Sequence, residues 1–139
     1  MQIDLSPLQY TFLDKPLVVG GRAKEYYDVR KSGEDIDLII TSRDYDNLAQ
    51  KYPDNLADLV GDLGIKVHGF EIWKTICLFG YAELSVGAID CGDYLMISLE
   101  KLVFLTALGM HKPKYYKDLE LIIKKIFEIK YKGSVPPKS

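Results

Sequence analysis

Residues 17–41 read LVVGGRAKEYYDVRKSGEDIDLIIT, and this stretch decides the fold. Its first three residues are a short β-forming run that stops at Gly20 and Gly21, where the backbone can turn tightly or approach a ligand closely. The pattern then predicts a short helix over 22–28 and a loop. Residues 36–41 are almost continuously apolar and predict a buried strand. The stretch therefore predicts strand, helix and strand around one glycine corner.

Outward from this stretch, the chain alternates between predicted helices and strands. Ser42, Asp54 and Ser98 stand where helix caps are expected. Helices are predicted over 43–51, 55–63, 99–110 and from Pro113 onward, and extended segments over 65–67, 70–79 and 94–97. The helix over 99–110 is apolar nearly all round and is expected to be buried. This order predicts the α+β (α/β) class, with a small mixed β-sheet flanked by helices and a C-terminal helical pair.

The composition excludes several classes of protein. The chain has 139 residues, of which 47% are hydrophobic and 27% charged, which is typical of a globular chain that needs no staples. We expect one domain over residues 1–132 and a flexible tail over 133–139. A net charge of -2 does not favour non-specific nucleic-acid binding, and two cysteines are too few for a zinc ribbon or a disulfide framework. No secretory signal or membrane span is found, so we expect a cytoplasmic location without membrane partners.

Two carboxylates open the second strand of residues 17–41. Residues two apart in a strand point to the same side, so Asp35 and Asp37 are expected to face together while Ile36 and Leu38 face the core. Adjacent carboxylates repel each other, and a divalent cation between them removes that cost. Mg²⁺ prefers carboxylate oxygens together with water and phosphate. The pattern therefore favours a Mg²⁺ site, and the alternative is that both aspartates only form a turn before the strand.

These features, in this order, resemble the DNA polymerase β-like nucleotidyltransferase superfamily, in particular its small bacterial members. The resemblance spans about residues 17 to 126. It is carried by strand–Gly20-Gly21–helix–loop–Asp35-Ile36-Asp37–strand, and near the C-terminus by ISLEKLVFLTALGM followed by KPKYYKDLELI. It implies a Mg²⁺-dependent enzyme that moves a nucleotidyl group from an NTP to an acceptor hydroxyl. The acceptor would be a small molecule, an RNA end or a protein.

The resemblance also implies a third carboxylate on a neighbouring strand, as metal ligand or general base. Glu71 is the best candidate, because it precedes a β-type run and its neighbours would face the opposite side. Together with Asp35 and Asp37 it would form the catalytic and metal-binding set. Glu71 could instead pair across strands with Lys66 or Lys74. Two further carboxylates are considered for the same role: Glu83 and Asp90.

Phosphate would be held by the glycine corner and by nearby cations. Backbone N–H groups of Gly20 and Gly21 can cradle phosphate oxygens. Positive charge for the triphosphate would come from a set of four side chains: Arg22, Lys24, Arg30 and Lys31.

A non-catalytic function is the alternative reading of the same residues. If no third carboxylate reaches the metal, the chain would be an inactive nucleotide-binding or protein/RNA interaction module of this fold, possibly related to toxin–antitoxin pairs. The lysines from residue 112 to residue 132 could be a solvated helix face or a basic ridge for tRNA, with Tyr115, Tyr116 and Tyr131 stacking on bases. The small size also allows an acceptor site shared within a homodimer.

Overall fold

The computed structural model describes residues 2–59, 61–109 and 114–131. The helices in these ranges are α1 (Gly20–Tyr26), α2 (Ser42–Lys51), α3 (Tyr81–Leu84), α4 (Leu99–Leu108) and α5 (Lys114–Lys130). The strands are β1 (Leu17–Val19), β2 (Ile36–Ile39), β3 (Leu56–Leu59), β4 (Asp62–Val67), β5 (Phe70–Trp73), β6 (Thr75–Ile76), β7 (Phe79–Gly80), β8 (Ile89–Asp90) and β9 (Leu95–Met96). Two single 3-10 turns cover Ser6–Leu8 and Pro53–Asn55.

Seven of these strands form one mixed sheet in the order β3-β4-β5-β2-β1-β9-β8, and β6 pairs with β7 in a separate hairpin. β2 is antiparallel to β1 and parallel to β5, and β1 is parallel to β9. α4 packs against α5. The predicted fold class, a mixed sheet with flanking helices and a C-terminal helical pair, is confirmed.

The two strands at the centre of the sheet are deeply buried. Leu17 and Val18 of β1, and Leu38 and Ile39 of β2, have no exposed surface. Their continuous apolar runs predicted this, because strands covered on both faces need no polar alternation. The two central strands therefore give a rigid base for the residues at their ends.

The predicted helix over 55–63 is wrong. The segment forms β3 and the start of β4, which pair as a hairpin and extend the sheet beyond β5. Gly64, which directly follows the predicted helix, lies inside β4. A Cβ atom at Gly64 would come within 2.9 Å of the Ile72 carbonyl oxygen, so the glycine permits close strand packing. The free edge of β5 offered backbone hydrogen bonds that local helical spacing could not reveal.

The boundaries and caps of two helices differ from the prediction. α1 begins at Gly20 and not at residue 22. The N-cap of α2 is Thr41, whose Oγ1 accepts a hydrogen bond from the Asp44 N–H at 3.2 Å, and Ser42 is the first helical residue. Ser98 caps α4 as predicted, because its Oγ accepts from the Lys101 N–H at 3.1 Å.

α4 is less buried than its sequence predicted. Leu102 and Thr106 are buried, but Phe104 is 37% exposed and the side of the helix that carries Leu105 and Leu108 borders a cavity. On α5, Ile123 and Ile129 are exposed. The apolar surface of these helices therefore exceeds what the described core covers.

Some predictions lie outside the described residues, namely the start of the last helix at Pro113 and the flexible tail over 133–139. Within the described ranges, none of the helices has the length and hydropathy that crossing a membrane requires.

Candidate functional site

Gly20 brings the start of α1 against the carboxylate of Asp37. Gly20 has φ +65, a conformation that favours glycine. A Cβ atom at this position would lie only 2.1 Å from Asp37 Oδ2. The glycine corner and the second predicted aspartate therefore meet, as their order in the sequence suggested.

Asp37 and Glu71 are direct neighbours in the sheet. β2 and β5 run parallel with Asp37 in register with Glu71, so both side chains leave the same face. Both are partly buried. Lys66 lies across from Glu71 on β4, with its Nζ 4.0 Å from Glu71 Oε2. Glu71 thus stands beside Asp37 and also faces the cross-strand lysine named as its alternative partner.

Asp35 occupies a different environment from Asp37. It precedes the first residue of β2 and is exposed. Across the described ranges, no three His, Cys, Asp or Glu side chains are gathered in a group that could hold a metal ion. Asp35 was expected to share a face with Asp37 because side chains alternate along a strand. This rule does not apply to Asp35, since it lies outside the strand. Its role as a ligand beside Asp37 and Glu71 stays a prediction.

Two of the predicted phosphate-binding cations converge on Asp118 of α5. Lys24 Nζ lies 2.9 Å from Asp118 Oδ2, and Arg30 contacts both carboxylate oxygens, Nε to Oδ1 at 2.8 Å and Nη2 to Oδ2 at 3.1 Å. Lys24 is only 3% exposed, and its Nζ lies 4.7 Å from the centre of the Tyr115 ring. These contacts tie α5 to α1 and to the loop before β2.

Asp118 is a charged group in a buried place. Burial alone would raise the pKa of Asp118, but hydrogen bonds from Arg30 and Lys24, with their positive charges, hold the pKa below its ordinary value of 3.8. Asp118 is therefore ionised at neutral pH and shared by two cations. Asp118 lies in the segment KPKYYKDLELI, and the sequence alone indicated no role for it.

The remaining predicted phosphate-binding residues are Arg22, Lys31 and Gly21. Arg22 Nη2 donates to the Glu34 carbonyl at 3.1 Å, while its buried Nε has no hydrogen-bond partner within the described part of the chain. Lys31 is exposed. Gly21 faces Ser32, whose Oγ would lie 3.2 Å from an added Cβ. The contribution of each to phosphate binding stays a prediction.

The two further carboxylates do not lie on strands beside β2. Glu83 Oε1 accepts from the Gly80 N–H at 3.0 Å at the start of α3. Asp90 is on β8, which β9 and β1 separate from β2, and it pairs with Lys15 at 2.9 Å. Glu83 acts as a helix cap and Asp90 as an edge-strand ion pair, which leaves Glu71 as the carboxylate next to Asp37.

A cavity of about 130 Å³ opens in front of Asp37. Its lining includes Gly20, Asp37, Lys24 and Tyr115. Its wall consists mainly of apolar residues from several strands and from α4: Val19, Leu59, Trp73, Ile76, Leu102, Leu105 and Leu108. The remaining lining residues are Asp62, Cys77, Thr106 and Gly109. This wall was not predicted from the sequence, although the excess apolar surface of α4 was a signal for it.

Tyr115 brings α5 into contact with the same site. Burial raises its pKa, and the charges of Asp37, Asp118 and Glu71 raise it further, while Arg30 lowers it. Its phenol is therefore neutral at physiological pH and can donate a hydrogen bond. The sequence had placed this residue only among possible base-stacking tyrosines.

Comparisons with protein-family models, with curated proteins and with solved structures give no match to this chain. The function therefore has to be inferred from the residues around Asp37.

Replacing Gly20 with alanine is expected to lower the free energy of unfolding by about 1–3 kcal/mol, because a Cβ is strained at this φ and displaces the Asp37 carboxylate. Urea unfolding measures the change. Gly33→Ala is the matched control. The φ of Gly33 lies outside the left-handed region, and a Cβ added there would meet no atom within 4 Å. Equal losses in the two variants would contradict the packing of Gly20 on Asp37.

Proposed function

We propose that this chain is a Mg²⁺-dependent nucleotidyltransferase that moves a nucleotidyl group from an NTP to an acceptor hydroxyl. The observation that supports this most is the placement of Asp37. It lies against the glycine corner, beside Glu71 on the next strand, and in the lining of a cavity. A turn residue would need none of these neighbours.

The residues present fit a Mg²⁺ ion. Asp37 and Glu71 offer hard carboxylate oxygens from adjacent strands, and Mg²⁺ is usually bound by one or two carboxylates with water and substrate phosphate completing the shell. Asp35 is one residue from Ile36 and could add a third carboxylate. When bound, Mg²⁺ would neutralise charge on the triphosphate and favour attack at the α-phosphorus.

The reaction would be an in-line substitution at phosphorus. The acceptor oxygen forms a bond to the α-phosphorus, and the bond from that phosphorus to the bridging oxygen breaks, so that pyrophosphate leaves with the bond's electron pair. Glu71 would take the proton of the acceptor hydroxyl. Backbone N–H groups of Gly20 and Gly21 would hold phosphate oxygens at the corner.

Positive charge for the triphosphate would come from the four predicted cations. Lys24 lines the cavity while its Nζ is held on Asp118, so it would present a fixed charge near the phosphates. Arg30 shares Asp118 and would hold Lys24 in place indirectly. Arg22 lies in the first turn of α1 and Lys31 is an exposed residue of the loop before β2, and both would contact the outer phosphates.

The test is NTP binding and turnover by the intact chain. With ATP, GTP, CTP and UTP offered separately, at least one NTP is expected to raise the melting temperature by several degrees in the presence of Mg²⁺ and not with EDTA. Release of pyrophosphate should show the same metal dependence. Absence of any Mg²⁺-dependent shift with all four NTPs would remove the proposed function.

A binding module remains the second candidate, and one observation favours it. α5 exposes Tyr116, Ile123 and Phe127 at helical spacing, which is an apolar face suited to a partner or a second copy. Its lysines are less available, since Lys117 and Lys124 both contact Glu120. Self-association that survives Asp37→Asn and is lost in Phe127→Ser would favour this candidate over the enzyme.

A further inference from the structure

The cavity beside Asp37 is lined mainly by apolar side chains. Its lining includes Leu102, Leu105 and Leu108 of α4 together with Trp73 and Ile76. Charged side chains also line it, namely Asp37, Lys24 and Asp62. A ligand in this cavity therefore meets both charge and an apolar wall.

The polar atoms of the wall are already bonded within the protein. Thr106 Oγ1 donates to the Leu102 carbonyl at 2.8 Å, and Trp73 Nε1 donates to the Leu59 carbonyl at 3.4 Å. A nucleobase placed here would lose the hydrogen bonds that its edges make in water, and such a loss is costly. The wall therefore selects against a base and for a group without polar edges.

The size of the cavity limits the group that it can hold. An apolar protein cavity of about 150 Å³ holds one benzene molecule. The cavity of about 130 Å³ in this chain therefore accommodates roughly one six-membered ring or a short alkyl chain. A whole nucleoside would exceed it.

We propose that this cavity binds the apolar part of the acceptor, so that the acceptor is an alcohol carried on a small ring or short hydrocarbon group. Its hydroxyl lies toward Asp37 and Lys24, and its hydrocarbon lies against α4 and Trp73. The assignment as acceptor rests on the proposed function. Binding of an apolar alcohol does not, because it depends only on the apolar wall and on the charged side chains of the lining.

The test compares cyclohexanol with myo-inositol, which has the same ring but a hydroxyl on every carbon. Trp73 is the one tryptophan of the chain and lines the cavity, so its fluorescence reports binding directly. Cyclohexanol is expected to change the fluorescence with a dissociation constant on the order of 1 mM, as its small apolar area allows. myo-Inositol should give no change at ten times that concentration.

Two variants locate the binding in the cavity. Leu105→Asn places an amide in the wall and should weaken cyclohexanol binding at least about 10-fold, since an unpaired polar group opposes an apolar ligand. Leu108→Phe fills space and should weaken it similarly. Leu63→Asn is the matched control, because Leu63 is 60% exposed on β4 and does not line the cavity. The affinity of this variant for cyclohexanol should equal that of the parent.

The outcomes separate this inference from the proposed function. Equal binding of the two alcohols, or unchanged affinity in both wall variants, would overturn the assignment of the cavity. Cyclohexanol binding without any Mg²⁺-dependent NTP binding would support the apolar site but remove its role as an acceptor site. When both bind, label from the NTP is expected on cyclohexanol and not on myo-inositol.

Discussion

Replacing Asp37 with asparagine is expected to lower Mg²⁺-dependent nucleotidyl transfer at least about 100-fold. Substitutions one shell out from a metal already cost 10–100-fold, and Asp37 would bind the ion itself. Asparagine keeps the shape that packs against Gly20 but removes the negative charge. The rate of pyrophosphate release and the rise in melting temperature on adding Mg²⁺ and NTP measure the effect, and both should be lost.

The control for this prediction is Asp46→Asn, the same change at an exposed residue of α2. It should leave turnover and the Mg²⁺-dependent melting shift as in the parent. A structural role for Asp37 predicts the opposite pattern, in which Asp37→Asn unfolds more easily in the absence of metal and the surviving folded enzyme keeps its rate. Retained turnover in Asp37→Asn would contradict the assignment of this residue.

Replacing Asp118 with alanine is expected to lower the free energy of unfolding by about 3–5 kcal/mol. The change leaves Lys24 buried without its carboxylate and frees Arg30, and removal of one partner from a buried ion pair has a cost of this size. The melting temperature should fall by roughly 10 °C or more. Thermal and urea unfolding of the two chains measure the loss.

Two further variants show where that loss comes from. Glu128→Ala breaks the contact of an exposed carboxylate with Lys125 at 3.7 Å and should change stability by less than about 0.5 kcal/mol. Lys24→Met combined with Asp118→Leu should recover much of the stability, because it replaces the buried charges with apolar groups. No recovery in the double variant would mean that packing around Asp118, and not the buried Lys24 charge, dominates.

The same ion pairs make the stability depend on pH. The pKa of Asp118 in the folded chain is held below 3.8 by Arg30 and Lys24, so unfolding releases a carboxyl that protonates more easily. The stabilisation is complete above the unfolded pKa of 3.8 and is lost as the pH falls through the folded pKa. The stability difference between the parent and Asp118→Ala should therefore narrow only below about pH 4.

Much of the fold could be predicted from the sequence because it depends on local patterns. The apolar runs at β1 and β2 need burial on both faces, and the glycine corner between β1 and α1 needs a residue that accepts positive φ. Ser98 at the start of α4 satisfies a free backbone N–H within one turn. Each of these features depends on residues that are close together in the sequence, so the sequence alone indicates it.

The hairpin of β3 and β4 could not be predicted in the same way. Residues 55–63 have a spacing that suits a helix, and the decision for strand was made by the free hydrogen-bonding edge of β5. Such an edge exists only when the rest of the sheet has formed. Local propensity is then overridden by backbone pairing.

For the candidate site, residue types alone indicated which groups are chemically suited: the glycine corner, Asp37 and a carboxylate such as Glu71. The three-dimensional packing was needed to show that Glu71 stands in register with Asp37, that Asp118 gathers Lys24 and Arg30, and that α4 lines a cavity beside them. Strand register, a buried ion pair across 94 residues and a space between elements are long-range properties. They arise from how separate elements pack together, so they cannot be recognised in a local pattern of residue types.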